Sequence, residues 1–234
     1  MTTTYAPPVD RLLTLGETKR QDPEQWLDYR GLGLGEEHMP ELIRMAVDRA
    51  LHDAEGTSAE VWAPLHAWRA LGQLRAAGAI RPLLELLEEM EHDHWLLEEV
   101  PEVGGLVGLP AVPILAGYLA ERSREVYSRV AAGHGLERVG NTWPEARDAC
   151  VVALTVQLGG FAEDDPTLNG FLIGYLVDLD AREALPTIAA AFGADHVDIG
   201  IGGDLEDVEI ELGVRNRRET PRKPSPLFKE FRRI

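Results

Sequence analysis

Two stretches of this chain hold side chains that could bind a metal ion or move a proton. The first is EHDHWLLEE, residues 91 to 99, where His92 and His94 flank Asp93. Imidazoles and a carboxylate suit zinc and related ions if a further ligand arrives from elsewhere in the chain. On a helix, residues two apart point about 200° away from each other, so both histidines reach one ion only from a turn. The plainer expectation is a polar turn between helices, with Asp93 capping the helix that follows. Trp95, Glu98 and Glu99 open that helix. Adjacent glutamates do acid–base work only where burial raises a pKa, so a solvated face is expected of them.

The second stretch is ADHVDIGIGGDLEDVEIELG, residues 194 to 213. Asp195, Asp198, Asp204, Glu206 and Asp207 surround Gly200, Gly202 and Gly203. Hard cations take carboxylate and carbonyl oxygens from such loops, but the spacing matches no EF-hand or nonapeptide calcium repeat. A polar cap on the last structural unit is the simpler reading, with Asp204 capping a helix near Leu205. Within it, DVEIEL reads equally as a strand or as a helix with Val208, Ile210 and Leu212 on one side. Asn169 stands in the first turn of an otherwise apolar helix, LNGFLIGYL, where it caps, packs or faces a groove. Cys150 lies on an apolar stripe in EARDACVVAL and is expected to be buried and inert. There is no Ser–His–Asp set, and GGLVGLP lacks the Lys-Ser/Thr and preceding strand of a phosphate loop. No catalytic residue and no cofactor are therefore assigned.

The elements that must position these groups repeat. Pro40, Pro82, Pro113 and Pro186 each precede a run of Leu, Ile and Ala at helical spacing, and Pro144 sits slightly early in a fifth such frame. They recur at about 30 to 40 residues, or twice that. In the first turn of a helix the missing proline N–H has no intrahelical partner to lose, so these prolines mark helix starts. An amphipathic helix is expected ahead of each, in PEQWLDYRGLGL, SAEVWAPLHAWRALGQLRA, HWLLEEVPEVGGLVG, EVYSRVAAGHGLERVG and LNGFLIGYLVDLD. The fold expected is all-α, a superhelix (HEAT-like α-solenoid) of about five helical-hairpin repeats. Residues 1–21 form an N-terminal extension, 22–193 the array, 194–213 an acidic C-terminal cap and 214–234 a basic tail.

Composition narrows the function. The 234 residues carry a net charge of −17 with a single cysteine. An acidic body repels phosphate backbones and anionic lipid, so neither direct nucleic-acid binding nor a membrane role is expected. The N-terminus lacks a basic region followed by an apolar core, so no secretory signal is read. Together with the cysteine count this points to the cytoplasm. The tail VRNRRETPRKPSPLFKEFRRI is basic and spaces Phe228, Phe231 and Ile234 by three. It suits docking on its own acidic body, on a second copy or on an acidic partner, or else a solvated tail.

With the repeats aligned, PPVDRLLTLGE, EEHMPELIRMA, WAPLHAWRALGQLRA, WLLEEVPEVGGLVG, LNGFLIGYLVDL and GDLEDVEIELG resemble an uncharacterised family among bacterial HEAT-repeat proteins of the phycobilisome-lyase-like type. The resemblance spans nearly all of residues 7 to 213. It implies a superhelical scaffold and transfers no catalytic residue. HEAT-like deoxyhypusine hydroxylases hold two irons through His-Glu dipeptides, and this chain has none. HEAT-type alkylpurine DNA glycosylases use a basic concave face, which an acidic body does not supply. No residue set for a tetrapyrrole is visible.

A non-catalytic scaffold for protein–protein interaction is the first expectation, using a concave face built by the Pro-started helices. Its candidate contact residues are Trp95, Glu98, Glu99, Asn169, Asp204, Glu206, Asp207, Phe228 and Phe231. One alternative is a metal-binding protein or enzyme with its site at His92/His94 or Asp195–Asp207. Another is an acidic mimic that occupies a basic nucleic-acid-binding partner.

Overall fold

Prolines stand at or near many helix starts in the computed structural model, which describes residues 4–90 and 93–222. Pro40, Pro64, Pro113, Pro166 and Pro186 occupy one of the first two positions of α1 (Met39–Ala46), α3 (Ala63–Gln73), α6 (Val112–Leu119), α9 (Pro166–Asp178) and α10 (Leu185–Gly193). Pro82 is third in α4 (Ile80–Glu89), and Pro144 opens the 3-10 turn that leads into α8 (Arg147–Leu158). At such positions the absent N–H costs no hydrogen bond. Pro101 is different, because it lies inside α5 (His94–Val107) and takes a donor out of the helix interior. The remaining helices are α2 (Arg49–His52), α7 (Val126–Thr142), α11 (Ile199–Gly202) and α12 (Leu205–Glu211). Among the described residues there is no strand.

Helices pack on their next-but-one neighbours. α3 lies on α5, α5 on α7, α7 on α9 and α9 on α11, while α4 lies on α6, α6 on α8, α8 on α10 and α10 on α12. Leu115, Leu136, Leu154 and Leu172 are fully buried between these helices, and each contributes roughly 2 kcal/mol relative to exposure. At the α5–α7 contact a Cβ built on Gly104 would stand 3.6 Å from the Cα of Gly135 and 3.5 Å from Leu115 Cδ1, so two backbones come close there with the Leu115 side chain packed against both glycines.

Side-chain tethers recur at the same interval as the prolines. The Tyr118 hydroxyl donates to the Leu84 carbonyl at 3.0 Å, 34 residues back. Arg124 donates to Glu88 across 36 residues, Arg138 to Glu102 across 36, Arg129 to Asp164 across 35 and Arg147 to Glu183 across 36. The helix-to-helix turns also repeat. Arg75 and Asp180 both take a positive φ (57° and 49°), and the next residue donates back to Leu71 and Leu176 respectively. This is the left-handed helix stop, closed by a six-residue hydrogen bond.

One sequence expectation needs correction, and one open reading is decided. PEQWLDYRGLGL does not form a helix: only Pro23–Gln25 make a 3-10 turn. α3 holds this segment in another shape. Gln73 accepts from Tyr29 N and donates to the Leu27 carbonyl, and just ahead of the segment Arg69 donates to the Lys19 carbonyl and His66 Nε2 lies 2.9 Å from the Gly16 carbonyl. The first expected pair is therefore incomplete, and four full pairs, α3/α4 to α9/α10, follow it. Residues 194–213 hold two short helices. α11 and α12 continue the alternation as a shortened pair, and DVEIEL is helical, with Val208 and Leu212 buried one turn apart.

Candidate functional site

Asp93 is the N-cap of α5, its Oδ1 accepting from Trp95 N at 2.8 Å and Leu96 N at 3.2 Å. His94 follows, exposed at the first helical position. His92 lies outside the described residues. Among the described residues no group of three His, Cys, Asp or Glu side chains comes together to hold a metal ion.

Glu98 and Glu99, one residue apart, meet opposite fates. Glu98 is exposed and pairs with Arg20 at 3.0 Å. Glu99 is buried, which corrects the solvated face expected of it. The Arg69 guanidinium meets it with Nη2 at 2.5 Å and Nε at 3.1 Å. Arg69 also donates to Thr18 Oγ1 at 3.0 Å and lies 5.0 Å from the centre of the Trp26 ring. Its donors are thus shared between a carboxylate on α5 and the N-terminal segment. His66, Arg69 and Gln73 fall at helical spacing on one side of α3, and sequence reasoning passed over them as a set. Their signal was a polar stripe inside WAPLHAWRALGQ.

Asn169 packs and does not face a groove: it is fully buried, which removes it from the candidate contact residues. Its Nδ2 donates to the Phe161 carbonyl at 3.0 Å and the His196 carbonyl at 2.8 Å, clamping the loops at both ends of the last full pair. Asp204, Glu206 and Asp207 form a clasp. Asp204 and Asp207 close a capping box at the start of α12, and the described part of the tail folds back onto them. Arg218 reaches Asp204 and Asp207 at 2.6 Å, Arg222 reaches Asp207 at 2.6 Å, and Glu206 accepts from Glu219 N and Thr220 N. The Arg218 hydrogen bond holds the Asp204 carboxyl below the usual carboxylate range. At Asp207 burial opposes the charge, but Arg222 and Arg218 outweigh it and the pKa is lowered. Phe228 and Phe231 lie outside the described residues. Cys150 is buried, and burial pushes its thiol up to about 11.

Charge is sparse along three of the even-numbered helices, although α4 and α12 carry it freely. The odd-numbered helices carry Glu98, Glu102, Glu137 and Asp178, and burial raises the carboxyl pKa of both Glu137 and Asp178. His134 stacks on Tyr175 with ring centres 5.3 Å apart, and burial lowers its pKa to about 4, so it is a neutral packing group at pH 7. By contrast, residues 112–119 of α6, 149–158 of α8 and 185–193 of α10 include no charged side chain. Val152 and Val156, one turn apart on α8, are 61% and 72% exposed. Pro113 and Gly117 of α6, Ala149 of α8, and Pro186 and Ala190 of α10 are exposed on the helices either side and on α8 itself. Among the described residues no single helix is long and apolar enough to cross a membrane. No family model, curated protein or solved structure matches this chain.

Proposed function

We propose that this chain is a HEAT-type α-solenoid that acts as a non-catalytic protein-binding scaffold, and that its partner seats on the largely apolar face of α6, α8 and α10, beyond the Arg147–Asp148 pair that opens α8. The next-but-one packing and the tethers at 34 to 36 residues support a stack of repeats, each burying its apolar side against its neighbours. The single observation that carries the binding role is the exposed Val152–Val156 pair, set among small residues in a chain where 27% of residues are charged. Two large apolar side chains left in water one turn apart support an interaction site there. Glycine, alanine and proline around the valines let a partner's backbone approach closely. The odd-numbered side is less open to a partner, because α3 is already covered by residues 16–30.

The test is affinity capture with the full chain at two salt concentrations, repeated with Val152→Glu/Val156→Glu and with Asp178→Asn as a surface control. The expected result is one stoichiometric protein, retained at high salt and by Asp178→Asn but lost from the valine double variant. A complex that survives the double variant overturns this assignment. One that dissociates at high salt and on Asp178→Asn belongs to a basic partner held by the acidic side.

A further inference from the structure

A cavity of about 230 Å³ lies between the end of α2, the start of α3 and the start of α5. Its walls include Trp62, Trp68 and Trp95, with His52 and Met90. That volume is roughly eight times the share of one liquid water, room for a compact organic group. Trp62 and Trp95 stand perpendicular, edge to face, at 89° with ring centres 5.6 Å apart, and both border the cavity. His52 lies flat against Trp68, at 23° and 5.8 Å.

Asp93 is the one charged side chain among the described lining residues. Its Oδ1 is spent on the α5 cap, and no hydrogen bond or ion pair engages Oδ2 among the described residues. His52 adds no positive charge at neutral pH, since burial lowers its pKa below the ordinary imidazole value. The cavity thus combines aromatic rings, a thioether and a carboxylate, with no cation among its described lining residues. Ring faces carry the negative part of the aromatic quadrupole and attract cations. Trp95 already does so within this fold, because the Arg20 guanidinium carbon lies 5.1 Å from its ring centre. An anionic ligand would meet Asp93 and a chain of net charge −17.

We propose that this cavity binds an alkylated ammonium group, with its methyl groups against Trp62, Trp68 and Trp95 and its charge answered by the rings and Asp93. The group is carried either by a small molecule or by a methylated lysine side chain, which share this head-group chemistry. The proposal is independent of the apolar face on α6, α8 and α10.

The experiment titrates the full-length protein with choline, and separately with 3,3-dimethylbutan-1-ol, its uncharged isostere. Tryptophan fluorescence and calorimetry are read at constant ionic strength. Saturable choline binding is expected, with the neutral isostere weaker by about ten-fold or more, as a partly desolvated cation–π site requires. Trp62→Leu should weaken choline about ten-fold with unchanged circular dichroism, while Trp62→Phe retains most of the affinity. A trimethyllysine peptide, set against its unmodified form, separates the sources. Tighter binding than choline assigns a protein side chain, and weaker binding assigns a small molecule. Equal affinity for the neutral isostere, undiminished choline binding by Trp62→Leu, or no saturable binding of choline or the peptide overturns the proposal. Should Trp62→Leu not fold, the choline-to-isostere ratio on the unaltered protein decides it.

Discussion

At position 69 a guanidinium that is 1% exposed meets a carboxylate that is 6% exposed. Taking both charges out of water is costly, and their mutual attraction offsets that cost only while every donor has a partner. Here Thr18, Lys19 and Glu99 supply those partners. Arg69→Met leaves the Glu99 carboxylate buried and unpaired. The expected loss is about 3–5 kcal/mol in urea denaturation. Adding Glu99→Leu should restore much of it, because the second charge is then gone as well. A double variant no more stable than Arg69→Met would show that the N-terminal contacts, not the ion pair, set the loss. The polar side of α3 was visible in the sequence as His66, Arg69 and Gln73, but their partners were not. Glu99 belongs to another helix, and the same Glu-Glu dipeptide leaves Glu98 in water. Burial there depends on what packs above each residue, which spacing along one helix does not encode.

The start of a helix is decided within one turn, and here the sequence was informative. Proline needs only a first-turn position, and an aspartate cap needs only the N–H groups two and three residues ahead, so Asp93 and Asp204 were readable. PEQWLDYRGLGL misled because side chains of α3, far along the chain, satisfy its backbone groups in place of helical bonds. DVEIEL stayed ambiguous because Val208, Ile210 and Leu212 fit a period of two as well as one side of a helix. The α10 contact that decides between them is tertiary.

The clasp on α12 makes the element-scale prediction. Asp204 and Asp207 have lowered pKa values in the fold, so their contribution is present above the unfolded value of about 3.9 and is lost as pH falls through the folded values. Amide exchange measured from pH 6 downward should therefore show residues 205–222 losing protection below about pH 4 while α5 and α7 stay protected. Arg218→Gln should move that loss to higher pH, because without the guanidinium the Asp204 carboxyl returns toward its ordinary value. Equal protection in the two proteins at every pH would mean that apolar contacts of α12, not the ion pairs, hold this end in place.

On the scale of the whole molecule, each pair of helices is tied to the next by both packing and a tether, so opening one pair exposes its neighbours. α8 sits in the middle of this chain of contacts, touching α6 and α7 before it and α9 and α10 after it. Cys150 lies on its inner side at 0% exposure, next to Gly140 of α7, where an added Cβ would stand 3.4 Å from the cysteine Cβ. With its thiol pushed up to about 11, it is neither accessible nor ionised in the fold at pH 8. It is also the chain's single cysteine, so alkylation reports on one place. The rate of labelling at pH 8 should therefore fall far below that of the unfolded chain. Its dependence on urea should follow the same free energy and slope as loss of helical circular dichroism, because α8 has no free edge from which to fray. Labelling that begins at urea concentrations well below the helical transition would show instead that the pairs open one by one. The tethers between successive units would then be too weak to couple them, and stability would be a property of each pair and its immediate contacts.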